Sequence, residues 1–596
     1  MTNQALPESN RTLLLGIWGH LSRRRRSQLG LLFVVMLASG GAELVSLGAV
    51  VPFLVVLSDP ERLWQQPLVQ MLAAQWGFTQ ASNLLLPATL TFAGTAALAA
   101  LIRLSNLWLN GRLAAAVGSD MSCEAYRRTL YQPYGVHLRR NSAEVITGTT
   151  TQINHTVAAL NALLQLITSS VVAVFLLTGL LVIDAPLAFA AAALFGSAYV
   201  VLAVITRREL RLNSQRIASA STQQLKALQE GLGAIRDVLL DGSQSTYLNI
   251  YRQADRPLRQ LKAKNGFLGA FPRYVLEALG TVAIALLGGL LVVQRGSGAA
   301  VIPLLGAMAL GAQRLLPAMQ RIYSAWASLK GDSAAIQAVL KMLNQPLPPH
   351  VTVSEPLPLR DGIHLKGVHF RYGIEQPEVL RGLELEIRRG ERIGLIGSTG
   401  SGKSTTVDLL MGLLAPAAGR VLVDGAELHD PSHPERLVAW RAAIAHVPQS
   451  IYLADSSIAE NIAFGVPREK VDLARVQQAA AQAQISSFIE TSSEGYGSFV
   501  GERGIRLSGG QRQRIGIARA LYKQARVLVF DEATSALDTD TEAEVMDAVD
   551  QLSRELTIIM IAHRLSTIQR CDRVIRLSEG SVSADGPPDR VLSTFD

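Results

Sequence analysis

The eight residues Gly-Ser-Thr-Gly-Ser-Gly-Lys-Ser at 397–404 have the types and the spacing of a phosphate-binding loop. They follow the apolar run 392–396, so the sequence predicts a strand, a glycine loop and a helix in succession. Glycines let backbone N–H groups turn toward phosphate oxygens, and the N-terminus of the following helix favours negative charge. Lys403 is expected to neutralise the phosphates, and the Ser404 hydroxyl to hold Mg²⁺. The alternative, a glycine turn without a ligand, leaves the Lys-Ser pair unexplained.

Two acidic residues, Asp531 and Glu532, follow the apolar run 527–530, which predicts a buried strand that ends in two carboxylates. An aspartate at such a strand end can hold Mg²⁺ through water. Glu532 points elsewhere and can orient or deprotonate an attacking water. His563, after the strand predicted at 557–561, can touch a γ-phosphate and the same water. These side chains predict hydrolysis of a nucleoside triphosphate.

Three further segments fit the same chemistry. Gln449, after Ala445-His446-Val447-Pro448, can reach the metal, and Tyr372 can stack on adenine. The sequence Leu507-Ser508-Gly509-Gly510-Gln511 opens a helix rich in Arg and Ala, which gives a second helix N-terminus for phosphate. Each segment alone is weak, because an isolated tyrosine is usually core or surface and acidic pairs often end strands. Their joint order carries the prediction.

In that order the segments resemble the nucleotide-binding domain of an ABC transporter, with Walker A, Q-loop, LSGGQ signature, Walker B, D-loop and H-loop in sequence. The D-loop is Ser535-Ala536-Leu537-Asp538, and Gly501-Glu502-Arg503-Gly504 resembles the X-loop of ABC exporters. The resemblance implies catalysis by Glu532 and His563 and binding of ATP with Mg²⁺. The implied metal-binding residues are Ser404, Gln449 and Asp531. The implied nucleotide-binding residues are Tyr372, Gly397, Ser398, Thr399, Gly400, Ser401, Gly402, Lys403, Ser404, Thr405, Gln449, Ser508, Gly509, Gly510 and Gln511.

The first half of the chain has the composition of a membrane domain. Charged residues make up only 17% of the 596 residues, and the mean hydropathy is +0.24. The apolar residues gather before about residue 330, in runs near the ~20 residues that a helix needs to cross a bilayer. The six predicted spans are 29–57, 84–110, 157–183, 186–206, 274–294 and 300–326.

Positive charge orients these spans. Arg23 to Arg26 precede the first span, and the segment 207–273 between spans four and five is rich in Lys and Arg. The loops on the other side carry only Arg62 and Arg295. We therefore expect a multi-pass protein of the cell (inner) membrane, with both termini and the nucleotide-binding domain in the cytoplasm. Because the arginines lie beside apolar spans, lipid headgroups explain the net charge of +8 better than nucleic acid, and no nucleic-acid partner is expected.

These observations predict two domains. The first is a membrane α-helical domain at 1–335, with six transmembrane helices and long cytoplasmic extensions of spans two to five. A linker at 336–360 is predicted from its prolines. Short β-branched runs then alternate with helices over 361–596, which predicts an α/β P-loop ABC ATPase domain.

The whole chain is similar to a type IV exporter half-transporter. That likeness implies a homodimer, with ATP held between Walker A of one protomer and the signature of the other. It also implies two short coupling helices, near 131–141 and 240–248.

The substrate is predicted from charges within the spans. Glu43, Arg103, Glu277 and Arg314 are costly in a membrane and should pair with each other or face a cavity. One hypothesis is an arginine-lined cavity for an anionic headgroup such as a pyrophosphate, with Arg314 and Arg321 on one face and Arg273 near the cytoplasmic mouth. Structural ion pairing or snorkelling is the equal alternative.

The loop after the first span also carries a pattern. Trp64, Leu68, Met71 and Leu72 share one helical face, which predicts a short amphipathic helix in the outer interface. With Gln132-Pro133-Tyr134 and other short patches, this loop is similar to PglK-type flippases of lipid-linked oligosaccharides, although a helix that only caps the domain is the simpler alternative. The function predicted is therefore an ATP-driven exporter or flippase of an amphipathic, lipid-linked substrate that also contacts membrane lipids. Export of a peptide or a hydrophobic small molecule, and an ATP-gated channel or regulator, stay open as alternatives.

Overall fold

The computed structural model contains two compact units. One comprises residues 1–132 and 140–347, and the other comprises residues 133–139 and 348–596. The structure describes the chain except residues 1–9, 59, 68, 72–79, 184, 296–300, 349–354, 533–538, 552–554, 562–563 and 594–596.

The first unit is helical throughout the described residues. Its helices are α1 (Asn10–His20), α2 (Arg23–Ser58), α3 (Pro60–Trp64), α4 (Leu85–Leu130), α6 (Ser142–Thr147), α7 (Ile153–Ile183), α8 (Ala185–Gly233), α9 (Ile235–Leu240), α10 (Gln244–Arg295), α11 (Val301–Gly331) and α12 (Ser333–Leu343), while α5 (Tyr134–Arg139) belongs to the second unit. A 3-10 turn at Ala81–Leu84 leads into α4, and a π-helical turn at Gly148–Gln152 joins α6 to α7.

Six long helices, α2, α4, α7, α8, α10 and α11, contain the six predicted spans. In the described part of the chain, three stretches are long and apolar enough to cross a membrane: Arg23–Leu57, Leu85–Leu130 and Ser142–Gly179. Helices α4, α8 and α10 run far beyond their apolar spans, as the polar helical spacing predicts. Four prolines lie inside the long helices of this unit, at Pro52 in α2, Pro257 and Pro272 in α10 and Pro317 in α11.

Helix α12 occupies the first part of the stretch predicted as a linker. Its apolar residues recur at helical spacing, and Ile336, Val339, Leu340 and Leu343 are buried in one cluster with residues of α1, α4 and α7. Packing of this apolar face explains why the segment is helical. The prolines of the predicted linker lie farther along the chain and do not interrupt it.

The second unit is built on two sheets. Its strands are β1 (Gly362–Phe370), β2 (Leu380–Arg388), β3 (Arg392–Ile396), β4 (Ala418–Val423), β5 (Ala426–Glu427), β6 (Ile444–Val447), β7 (Val527–Asp531), β8 (Thr557–Ile561), β9 (Arg573–Ser578) and β10 (Ser581–Gly586). An antiparallel sheet has the order β2-β1-β4-β5, and a six-stranded sheet has the order β10-β9-β3-β8-β7-β6. In the larger sheet only the edge strand β10 is antiparallel.

Helices surround the larger sheet. They are α13 (Lys403–Leu410), α14 (Pro434–Ala443), α15 (Ile458–Ile462), α16 (Leu473–Gln482), α17 (Ser486–Thr491), α18 (Gly509–Tyr522), α19 (Thr539–Asp550), α20 (Leu565–Ile568) and α21 (Pro588–Leu592), with 3-10 turns at Arg468–Lys470, Gly495–Gly497 and Glu502–Gly504. The central strands β3, β7 and β8 are apolar and buried, as parallel strands covered on both faces require. Because they run parallel, the residues that follow them meet at one edge of the sheet.

Candidate functional site

The glycine loop after β3 has a backbone that side chains would disturb. Gly397, Gly400 and Gly402 have φ angles of 148°, 85° and 100°, a region that glycine adopts at low cost. A Cβ atom at Gly397 would lie 2.3 Å from the carbonyl oxygen of Leu577, and one at Gly402 would lie 2.6 Å from a Leu380 methyl group. The loop therefore forms a cradle whose walls are close on one side, and its N–H groups lead into the N-terminus of α13, where an anion is stabilised.

Lys403 lies inside this loop. Its ammonium group donates hydrogen bonds to the carbonyl oxygens of Gly397, at 2.7 Å, and of Ser398, at 3.0 Å. Burial lowers the pKa of Lys403, and the charges of Glu532 and Asp531 oppose that shift. The lysine is thus a partly desolvated cation that faces both carboxylates.

The sheet edge brings together two of the acids and the glutamine predicted from sequence. Asp531, the last residue of β7, is paired with Ile561 of β8, and the Glu532 N–H donates to the Ile561 carbonyl oxygen at 3.1 Å. The Gln449 amide donates to Glu532 Oε2 at 2.6 Å. Glu532 has a φ of 48°, which is uncommon for a residue with a long side chain and is typical of strained positions at functional sites.

Tyr372 and the signature segment are also placed. The Tyr372 hydroxyl lies 2.9 Å from Thr405 Oγ1, on the helix that follows the glycine loop, and Phe370 packs edge-on against the tyrosine ring. Ser508 caps α18: its hydroxyl accepts from the Gln511 N–H, and the Gln511 side chain accepts from the Ser508 N–H. His563 and the D-loop 535–538 lie outside the described residues.

One ionisable group of this site was not predicted from sequence. Asp408, on α13, is partly buried, and burial together with the charge of Asp531 raises its pKa to about 6. The sequence feature that could have indicated this group is an acid within the otherwise apolar turn Val407–Leu410.

The short helix α5 lies in the second unit, inside the segment predicted as the first coupling helix. A Cβ atom at Gly135 would lie 3.7 Å from a δ-methyl carbon of Leu414, so α5 passes close to this side chain. The other predicted coupling helix, near 240–248, differs in position: the short helix is α9, at Ile235–Leu240, and the later residues form a turn and the start of α10.

In the membrane unit, α8, α10 and α11 line an open cavity of about 400 Å³. Arg273 and Arg321 both line it, together with Gln320 and Tyr199. Tyr199 is 8% exposed, and its hydroxyl has no hydrogen-bond partner among the described residues. Two arginines and a tyrosine with an unsatisfied hydroxyl therefore line the same space, and the Arg321 Nε–H donates to the Pro317 carbonyl oxygen at 3.2 Å.

A proline shapes the wall of this cavity. Pro272 lacks the N–H that would bond to the carbonyl oxygen of Leu268 one turn earlier in α10. The Tyr323 hydroxyl of α11 donates to that oxygen at 3.3 Å and lies 2.8 Å from Thr206 Oγ1. The Tyr323 side chain of α11 thus satisfies the carbonyl oxygen that Pro272 leaves without its helical partner, and Thr206 of α8 contacts that tyrosine.

The other membrane charges fall in different places. Arg103 of α4 forms an ion pair of 3.0 Å with Glu43 of α2, whose side chain is buried. Glu277 is exposed and lies one turn after Arg273 in α10. The side chain of Arg314 lies outside the description, as do Leu68 and Leu72 of the predicted outer helix, in which Trp64 ends α3 and Met71 is exposed.

The fold and the site define an integral membrane protein that carries a P-loop ATPase. The ABC transporter family matches residues 380–535. Two curated relatives named ATP-dependent lipid A-core flippase extend the similarity over most of the chain. The protein of Cupriavidus metallidurans is 30% identical over 498 residues (83% of this chain and 82% of the relative), and that of Alkalilimnicola ehrlichii is 32% identical over 478 residues (79% of each). The chain belongs to the ABC transporter family.

A solved structure of a bacterial Atm1-family ABC exporter with ATP bound has the same fold. It aligns with a TM-score of 0.76 at 24% identity and covers 96% of each chain. The protein is therefore a multi-pass inner-membrane exporter with its ATPase domain in the cytoplasm, and it couples ATP hydrolysis to transport.

Proposed function

We propose that this protein works as a homodimeric flippase, in which ATP hydrolysis moves an amphipathic, lipid-linked substrate with an anionic headgroup to the outer leaflet. Residues 1–335 form the membrane domain in this proposal, and residues 361–596 form the nucleotide-binding domain. One chain carries one of each, so a transporter needs two chains.

The cavity lined by Arg273 and Arg321 is the observation that carries the substrate class. Cationic side chains in a membrane domain are costly unless they pair with an acid, bond to backbone carbonyls, or serve an ion or a ligand. A volume of about 400 Å³ fits a phosphate-containing headgroup and not a whole lipid. A guanidinium group can bind a phosphate through two parallel N–H···O hydrogen bonds, and the Tyr199 hydroxyl offers one more donor. The acyl or polyprenyl part would remain in the bilayer.

The names of the relatives support a lipid substrate. Lipid A-core and a polyprenyl-pyrophosphate oligosaccharide share the chemistry that the cavity fits, which is an anionic group between an apolar tail and a glycan. We favour the lipid-linked oligosaccharide because of the short patches that resemble PglK-type proteins, and a transport assay separates the two substrates.

The residues at the glycine loop fit a nucleoside triphosphate with Mg²⁺, since the loop offers a cradle with glycine at its three positive-φ positions and a partly desolvated lysine. In the proposed cycle, Lys403 and the N–H groups of 397–405 hold the phosphates, and Tyr372 supports the adenine. Ser404, Gln449 and Asp531 would hold Mg²⁺, which neutralises phosphate charge. Glu532 orients and deprotonates the attacking water, and His563 contacts the γ-phosphate. Ser508, Gly509, Gly510 and Gln511 of the partner close over the nucleotide.

The decisive experiment uses the purified protein in liposomes that carry a fluorescent polyprenyl-pyrophosphate oligosaccharide in both leaflets. Loss of probe accessibility from the nucleotide-domain side is followed after addition of ATP and Mg²⁺, and a parallel sample carries fluorescent lipid A-core. We expect ATP-dependent movement of the first probe and none with Glu532→Gln. Movement of lipid A-core alone would make lipid A-core the substrate in place of the lipid-linked oligosaccharide. Movement of neither lipid, with normal ATP hydrolysis, would contradict the flippase proposal.

A further inference from the structure

Tyr199 of α8 is a buried tyrosine whose hydroxyl is not used inside the protein. The residue is 8% exposed, and in the part of the chain that the structure describes its hydroxyl has no hydrogen-bond partner. Its ring packs in one cluster with Phe195 and Leu276 and lies 5.7 Å, centroid to centroid, from the Tyr323 ring. This packing fixes the ring, and a buried hydroxyl without a partner is costly. The hydroxyl is therefore placed for a partner outside the chain.

The neighbouring tyrosine serves a different purpose. The Tyr323 hydroxyl is engaged twice, since it donates to the Leu268 carbonyl oxygen and contacts Thr206 Oγ1. Tyr323 and Tyr199 both line the open cavity between α8, α10 and α11. One hydroxyl of the pair thus joins the helices, and the other is left for an occupant of the cavity.

Helix α11 brings two more neutral polar groups to the same cavity. Gln320 and Ser324 are about one turn apart and line it together with Arg321, which lies between them in sequence. The Ser324 hydroxyl donates to the Arg321 carbonyl oxygen at 3.2 Å, which leaves the lone pairs of its own oxygen available to accept. The Gln320 amide carries both donors and an acceptor.

The cavity offers more than a phosphate uses. Guanidinium groups only donate and ionised phosphate oxygens only accept, so Arg273 and Arg321 suit a phosphate. The oxygens of Tyr199, Gln320 and Ser324 also accept, and an ionised phosphate has no hydrogen to give them. A sugar hydroxyl or an acetamido group both donates and accepts. The combined set of groups therefore matches a sugar that is joined to a phosphate.

We propose that the cavity recognises a sugar 1-phosphate and that Tyr199 is its specificity-determining residue. The Tyr199 hydroxyl, with Gln320 and Ser324, binds the sugar, while Arg273 and Arg321 bind the phosphate. This inference rests on the proposed function and deepens it, because it states which part of the headgroup the cavity reads. A polyprenyl-pyrophosphate oligosaccharide and lipid A-core both contain this unit, since each has a sugar with phosphate at C1.

The test measures lipid binding to the full-length protein in nanodiscs without nucleotide. The two probes carry a fluorophore on the tail and are polyprenyl-pyrophosphate N-acetylglucosamine and polyprenyl pyrophosphate without sugar. Tyr199→Phe removes the hydroxyl and keeps the ring. We expect it to lower the affinity for the first lipid about 3- to 10-fold, as loss of one neutral hydrogen bond does, and to change the affinity for the second by less than about twofold.

Matched variants separate the sugar contact from other effects. Tyr323→Phe removes the hydroxyl that is engaged inside the protein, so it should leave the ratio of the two affinities unchanged. Arg321→Ala should weaken both lipids by a similar factor of about ten, because both contain the phosphate. Ser324→Ala, at an exposed position, should lower only the affinity for the sugar lipid, by about twofold or more.

Lipid A-core is the third probe, with its form that lacks the 1-phosphate as comparator. If lipid A-core is the substrate, Tyr199→Phe should weaken both forms, and Arg321→Ala only the form with the phosphate. This result would support the sugar contact and make lipid A-core its source.

Two results would overturn the inference alone. Equal losses of both polyprenyl lipids in Tyr199→Phe would place the hydroxyl on the phosphate. Unchanged binding in Tyr199→Phe, beside a loss in Arg321→Ala, would show that the hydroxyl contacts no part of the headgroup. Wild-type protein that binds none of the lipids would instead overturn the substrate class of the proposed function, and the sugar contact with it.

Discussion

The two halves of this protein place charged groups by different means. In the nucleotide-binding domain, the two acids lie at the end of the parallel strand β7, and Lys403 follows the glycine loop after β3, whose carbonyl oxygens hold its ammonium group. In the membrane domain, Arg273 and Arg321 lie on long helices, where their spacing does not determine which neighbour they meet. The comparison shows that a site defined by backbone geometry is specified locally, while a site defined by helix packing is specified by many distant contacts.

The strongest test of the first half is Glu532→Gln. Loss of the base that activates water should reduce ATP hydrolysis about 10²- to 10⁴-fold, while ATP binding is retained. Steady-state hydrolysis and binding of a fluorescent ATP analogue measure the two effects, with Glu469→Gln, an exposed acid, as the control. Hydrolysis at the wild-type rate would remove Glu532 from the mechanism.

Local specification can be tested at two glycines of the same loop. Gly397→Ala places a methyl group against the Leu577 carbonyl and strains the backbone, so we expect ATP affinity to fall about tenfold or more. Gly400→Ala has an unfavourable φ but no atom within 4 Å of the new methyl group, so its effect should be smaller. Binding titrations and melting temperatures rank the two variants. Equal losses of ATP affinity would mean that the strained φ angle, and not the contact of the new methyl group, causes the effect.

For the membrane half, Arg321→Ala and Arg273→Ala should affect transport more than basal hydrolysis. Loss of one guanidinium at the headgroup cavity should reduce flipping about tenfold, as loss of a charged hydrogen bond does, with basal ATPase activity within about twofold. Arg256→Ala, an exposed arginine of the same helix as Arg273, is the control. A parallel fall in both activities would identify these arginines as structural residues of the helix bundle.

The smallest expected effect concerns Asp408. Because its pKa is raised from 3.8 to about 6, the folded domain binds this proton more tightly than the unfolded chain does. Folding therefore disfavours the charged form, and the stability of the wild-type domain falls as pH rises from about 4 to about 6. Asp408→Asn removes that loss and should raise the melting temperature by a few degrees at pH 7.5, and by less at pH 5. Thermal unfolding without nucleotide measures both, with Asp455→Asn as an exposed control, and an increase that is the same at both pH values would contradict the assignment.

The sequence predicted the fold, and the signals from which it predicted the ATP site are local. Glycines, a lysine and strand-ending acids leave few alternatives at 397–404 and 527–532, and the structure brings Gln449 to Glu532. The hairpin β9–β10 was missed, although Glu579-Gly580 between alternating apolar residues is a turn signal, and both residues have positive φ.

Other features depend on contacts that the sequence does not display. The prolines after residue 344 indicated a linker, but the buried face of α12 made its first part helical. The cavity at Arg273 and Arg321 requires the packing of three helices. From the sequence, Glu43 could have been paired with a different cation as readily as with Arg103.

The proline in α10 has a mechanical consequence. The helix has 52 residues and is about 78 Å long, and Pro272 lies about 42 Å from its start at Gln244, with a second proline, Pro257, within that arm. With one internal hydrogen bond replaced by the Tyr323 hydroxyl, bending at this point breaks no backbone hydrogen bond of the helix. A swing of about 5° at Pro272 would displace the end at Gln244 by about 4 Å. The headgroup cavity lies at the pivot of this lever, where a small change in side-chain contacts has the greatest leverage on the distant end.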